Sequence, residues 1–81
     1  MLPVRDNLRE ALARIISPID WDAKDNLSDQ DYRFSGFDVN PSLTKAEGVI
    51  AFIETLGVPI TSKIDPKMIQ RAFEKHLAAR S

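Results

Sequence analysis

The chain has no cysteine, one histidine, one tryptophan, one tyrosine and three glycines among its 81 residues. Without cysteine there are no disulfides, no thiolate nucleophile and no cysteine-based zinc site, which fits a reducing compartment. His76 stands alone, with no second imidazole or thiolate from which to build a metal site, so no metal ligands are assigned. Charge of one sign is missing too. Eleven Lys/Arg meet twelve Asp/Glu for a net charge of −1, which runs against a general nucleic-acid binder. No apolar run approaches the roughly 18 residues of a membrane span, and Met1-Leu2-Pro3-Val4-Arg5-Asp6 carries no signal-peptide core. A cytoplasmic protein without membrane contact is expected.

What is present points to one small helical domain over residues 1–81, since 43% hydrophobic residues suffice for a packed core. Val4, Leu8, Ala11, Leu12, Ile15 and Ile16 recur at helical spacing, with Arg5, Asp6, Arg9 and Glu10 on the other face. Pro3 suits an early helical position, and Ser17-Pro18 ends the run because a residue before proline avoids helical geometry. Ala46, Val49, Ile50, Ile53 and Leu56, widened by Phe52, make the buried stripe of a second helix over about residues 42–56, stopped by Gly57. A third begins at Asp65-Pro66, with Met68, Ile69, Ala72, Phe73 and Leu77 as its core face.

Residues 18–41 read as a long connection. Ile19, Trp21, Leu27, Tyr32, Phe34 and Phe37 are spaced along it as anchors, so a pinned loop with a short helical turn is expected. The acidic excess of the chain falls here, between Asp20 and Asp38, as a solvated segment. The fold class is therefore all-α: a small three- to four-helix bundle with a long ordered loop between the first two main helices.

The most task-like stretch is Ser42-Leu43-Thr44-Lys45-Ala46-Glu47-Gly48-Val49-Ile50-Ala51-Phe52-Ile53-Glu54-Thr55-Leu56-Gly57-Val58-Pro59-Ile60. Its pattern, Ser-Leu-x-x-x-Glu-x-Val-x-Ala-x-x-Glu-x-x-Gly-Val-x-Ile, resembles the second helix of acyl and peptidyl carrier proteins, and Gly-Val-Pro-Ile-Thr resembles the segment after that helix in D-alanyl carriers. The resemblance implies a carrier-like fold in which Ser42 bears 4'-phosphopantetheine. Leu43, Glu47, Ile50 and Glu54 would then face partner biosynthetic enzymes. A helix N-terminus accommodates a phosphodiester, and acidic residues along the helix favour fast encounters with basic partners. The family's Asp before the serine is replaced here by Pro41.

The same residues also read as capping. Asn40-Pro41 fits an N-cap with a first-turn proline, and Thr44 to Glu47 fits a capping box. The alternative function is regulatory: Lys67, Arg71 and Lys75 lie at i, i+4 and i+8, a basic face of the third helix able to bind DNA or a protein partner. A blander third reading is an assembly module without cofactor. Catalysis is not expected. His76 adjoins Phe73 and Leu77 as a rim residue, no oxyanion loop accompanies Ser42, and Asp20, Asp22 and Asp25 lack the glycine and terminal Glu of a calcium loop.

Overall fold

The computed structural model describes residues 4–80, so the place expected for Pro3 lies outside them. It is all-helical at 78% helix, with no strand among the described residues. Five helices follow one another: α1 (Val4–Ile16), α2 (Pro18–Asn26), α3 (Asp29–Ser35), α4 (Asn40–Thr55) and α5 (Pro66–Arg80). The expectation of three or four helices with a long loop is corrected by α2 and α3, which are folded from that segment. Pro18 has two effects. It keeps Ser17 out of helical geometry (φ −136°, ψ 69°), ending α1, and then serves as the first-turn proline of α2. Ser28 caps α3 by accepting from the Asp31 N–H at 3.1 Å.

The core is carried by α1 and α4. Leu8, Leu12 and Ala13 pack with Ala46, Val49, Ile50 and Ile53, and Trp21, Val39 and Ile69 close the cluster. Arg5 and Arg9 on α1 pair with Glu54 and Glu47 on α4, lacing the two helices along their exposed border. At the end of α4, Gly57 adopts φ +78°. Val58 N–H reaches the Ile53 carbonyl at 3.3 Å and Gly57 N–H the Glu54 carbonyl at 3.0 Å, the paired bonds of a Schellman stop that a left-handed glycine allows.

The start of α4 differs from the capping expected of it. Asn40 lies inside α4, where its N–H bonds Asp38 Oδ1 at 3.0 Å, and Thr44 turns back to donate to the Asn40 carbonyl at 3.2 Å. No capping box forms, because α4 already starts at Asn40 and Thr44 lies inside it; Glu47 is engaged by Arg9. Asp65 does cap α5, its Oδ1 accepting from the Lys67 N–H at 3.0 Å.

The packing is shallow. Cα extents of 41 × 36 × 15 Å make the molecule a slab. Two packed helices, with axes about 8–10 Å apart and a Cα radius of about 2.3 Å, already span some 13–15 Å. Only two layers therefore exist, and helices have faces left over. Four of the expected loop anchors, Ile19, Leu27, Phe34 and Phe37, are exposed, Phe34 at 78%. The expected core face of α5 is also only partly used: Ile69 is buried and Phe73 half-buried, but Met68, Ala72 and Leu77 are exposed. His76 sits at the rim with its ring 4.5 Å from Phe52, which also contacts Phe73 at 5.5 Å.

Arg14 joins α1 to α2. Its Nη1 donates to Asp25 Oδ2 at 2.7 Å while its guanidinium lies 4.6 Å from the Trp21 ring. The hydrogen bond from Arg14 holds the Asp25 carboxyl below its ordinary value and raises the Arg14 pKa in turn. A depressed carboxyl stabilises the fold fully above the unfolded aspartate value of about 3.9, and that contribution fades as the pH falls through the folded value. The thermal midpoint of wild type should therefore exceed that of Asp25→Asn at neutral pH, with the gap closing below about pH 4. A gap independent of pH would show that the carboxylate charge plays no part.

Candidate functional site

Ser42 lies in the first turn of α4 and is 1% exposed. The expectation that its hydroxyl projects outward for modification is corrected. Ser42 Oγ–H donates to the Val39 carbonyl at 2.5 Å, and Ser42 Oγ accepts from Trp21 Nε1–H at 3.0 Å. Val39 N–H in turn donates to the Tyr32 phenol oxygen at 3.0 Å. Trp21 from α2, Tyr32 from α3 and Ser42 from α4 thus converge on one buried backbone unit. An indole must find an acceptor when buried, and a first-turn serine readily bonds the carbonyl three residues back. Esterification of Ser42 would have to unwind this turn and displace Trp21.

The expected partner face of α4 turns towards α1. Ile50 is fully buried and Leu43 packs partly against the core. Glu47 binds Arg9 at 2.8 Å and Glu54 binds Arg5. Those carboxylates remain exposed at the surface but are committed within the chain. The basic stripe is placed as the spacing requires: Lys67, Arg71 and Lys75 are exposed on α5 and join none of the ion pairs among the described residues. Residues 56–65 separate α4 from α5, longer than the roughly 3–4-residue turn of a helix-turn-helix.

What sequence reasoning missed is on the opposite side of α4. Between α4 and α5, at the end of α1, runs an apolar groove of about 490 Å³ walled by Ile16, Val49, Phe73 and Leu77, with Lys45 and Glu74 at its edges. Gly48 forms part of its α4 wall, and a Cβ built there would meet nothing within 4 Å. A glycine inside a helix costs about 1 kcal/mol relative to alanine, and here neither close packing nor a left-handed φ requires it. Gln70 Oε1 in the far wall is shut off from solvent and accepts no hydrogen bond. Ile16 also borders a second hollow with Pro18, Ile19, Asp20 and Phe37, at the start of α2. The signal for it was Gly48 beside an apolar stripe, together with more hydrophobic residues on α5 than a two-layer core can bury.

No protein-family profile matches the chain, and neither curated proteins nor solved structures give a significant match. No helix of the described residues is long and apolar enough to cross a membrane.

Two measurements probe the buried node. Ser42→Ala strands the Trp21 N–H and should cost about 1–3 kcal/mol in urea unfolding, but clearly less in a Trp21→Phe background. Strictly additive losses would mean that the indole–hydroxyl bond contributes nothing. Incubation of the native protein with coenzyme A and a promiscuous phosphopantetheinyl transferase should leave its mass unchanged. A gain of one phosphopantetheine that disappears in Ser42→Ala would show instead that the first turn of α4 opens.

Proposed function

We propose that this chain is a docking module without chemistry of its own, one that buries the apolar face centred on Ile16 against another protein surface. The observation that carries this reading is the open groove with Gly48 in its wall. Such an apolar concavity between helices suits an apolar side chain or helix edge from a partner. The exposed Leu77 on its wall, and Ile19 and Phe37 in the hollow that Ile16 also borders, are apolar surface of the kind that soluble proteins reserve for contact. Charge is arranged to assist. Lys45 stands at the groove, and Lys67 and Arg71 line a neighbouring hollow with Ile15, Gln70 and Glu74. Acidic groups on a partner would therefore be favoured around an apolar centre, giving orientation and faster encounter.

The buried hydroxyl of Ser42 is bonded to Trp21 and Val39 and lines neither hollow.

In the producing cells, a photo-crosslinking phenylalanine analogue in place of Leu77 should yield a discrete covalent protein adduct, while the same analogue at Gln30 on α3 should not. Gly48→Leu should raise stability by about 0.5–1 kcal/mol through helix propensity, yet reduce adduct yield by filling the groove. Equal labelling at both sites, or labelling indifferent to Gly48→Leu, would overturn the proposal.

A further inference from the structure

Arg71 lies two residues before Phe73, about 160° round α5 from the ring that packs on Phe52. The outer side of this helix is therefore the side of Lys67, Arg71 and Lys75, all three exposed. Residues four apart rise about 6 Å and turn about 40°, so the three cations stand in one row about 12 Å long. By the same geometry Ala78 lies within the row, with Glu74 and Met68 at its two borders.

Arrangement sets this row apart from the other charges of the chain. Arg5, Arg9 and Arg14 of α1 each hold a carboxylate. The unpaired cations of α2, α3 and α4 come one to a helix, as Lys24, Arg33 and Lys45. The net charge of −1 conceals a separation: residues 18–38 carry two Lys/Arg against six Asp/Glu, and residues 63–80 carry five against two. Neither α2 nor α3 packs on α5, so the acidic arm does not neutralise the basic one. The two acids of the basic arm have partners of their own. Asp65 caps α5, and Glu74 accepts from the Gln70 amide at 3.4 Å. A chain that is almost neutral as a whole thus presents a positive face along one helix.

The chemistry of the row selects among anionic partners. A protein interface centres on apolar and aromatic side chains and is depleted in lysine, whereas this row is two lysines and an arginine around an alanine. A lipid surface takes up several large apolar side chains on the same face, and here Met68, 67% exposed, stands at one border. Single strands are held by bases stacked on aromatic rings, but Phe73 and His76, the rings of α5, are turned in against Phe52. A line of duplex phosphates needs none of these. Each Lys or Arg neutralises a phosphate and releases its counterion.

We propose that the outer face of α5 binds the phosphate backbone of a duplex nucleic acid through Lys67, Arg71 and Lys75, without reading its sequence. This contact goes beyond docking at the groove and does not involve the groove wall at Val49, Phe73 and Leu77.

Fluorescence anisotropy of a labelled, mixed-sequence duplex DNA with the full chain tests this. Binding should weaken about fortyfold between about 50 and 200 mM salt, a log–log slope of about −2.7 for three phosphate contacts. Lys67→Gln, Arg71→Gln and Lys75→Gln should each flatten that slope by about 0.9. Helix content by circular dichroism should not change, since Lys, Arg and Gln have similar helix propensity. Arg33→Gln removes the same charge from α3, where it joins no ion pair, and should leave affinity and slope as they are. No binding at about 50 mM salt overturns the proposal, as does an effect of Arg33→Gln equal to that of Arg71→Gln. Polyglutamate competing as well as the duplex would reassign the face to an acidic protein, and tighter binding of the single strand would reassign it to exposed bases. Either result removes the duplex. The Leu77 crosslink reads the groove separately, so failure here leaves the docking reading standing.

Discussion

The hydrogen bond from the Trp21 indole to Ser42, relayed to the Val39 carbonyl, is the constraint on which the arrangement of the short helices depends. α3 buries none of its residues and α2 buries only Trp21, so apolar packing alone gives them little hold. The polar node supplies what packing does not. It fixes the start of α4 against α2 through Ser42 and against α3 through the bond between Tyr32 and Val39. An unpaired indole N–H or phenol at this depth would carry a desolvation cost, so the four groups specify one another's positions as well as stabilising them. Arg14 reinforces the same junction from outside: its cation lies over the Trp21 ring and its hydrogen bonds reach Asp25.

With α2 and α3 held to one end by this node, they do not lie across α4 and α5 as a third layer. The slab that results leaves apolar surface on Ile16, Phe73 and Leu77 that an ordinary bundle of this size would cover. The ion pairs of Arg5 and Arg9 matter here for where they are rather than for their strength. Exposed pairs contribute roughly 0–1 kcal/mol each, but they occupy the acidic residues of α4 on the α1 side. Lys45 lines the groove, Lys67 and Arg71 line a neighbouring hollow and Asp20 lies beside Ile19, and none of the four joins an ion pair among the described residues.

Much of the helical architecture was legible because periodicity reports burial directly. α1, α4 and α5 were placed within about two residues of their ends, which is the usual uncertainty at helix boundaries. The segment over residues 18–41 was harder. Its apolar residues do not follow one helical stripe, since α2 and α3 are short and face different ways, so spacing suggested anchors in a loop. Trp21 and Tyr32 are anchors; Ile19, Leu27, Phe34 and Phe37 are not. Ser42 shows a second limit. A hydroxyl at a helix entrance has the same one-dimensional context whether it faces water or an indole, and only the fold of α2 against α4 decides between them. Of the residues expected to face a partner, Ile50 is buried, while Glu47 and Glu54 are exposed but paired within the chain. Glu47 and Glu54 look like solvent-facing acids for a partner until Arg5 and Arg9 of α1 are brought beside them.

Gly48 links these observations to function. Its neighbours Ala46, Val49 and Ile50 are wholly buried, so α4 is held by its other face and tolerates a helix-weakening residue on this one. A side chain at position 48 would strengthen the helix, and its first carbon would enter space with no atom within 4 Å on the wall of the groove. Stability and an open groove therefore pull in opposite directions at this residue, and the chain has the residue that keeps the groove open. The same preference is visible on α5, where Leu77 remains at the groove wall, exposed, although a polar residue there would cost the monomer little. Local stability set aside at Gly48 and solubility set aside at Leu77 fall on one surface, which is the pattern expected when that surface is covered in the working state.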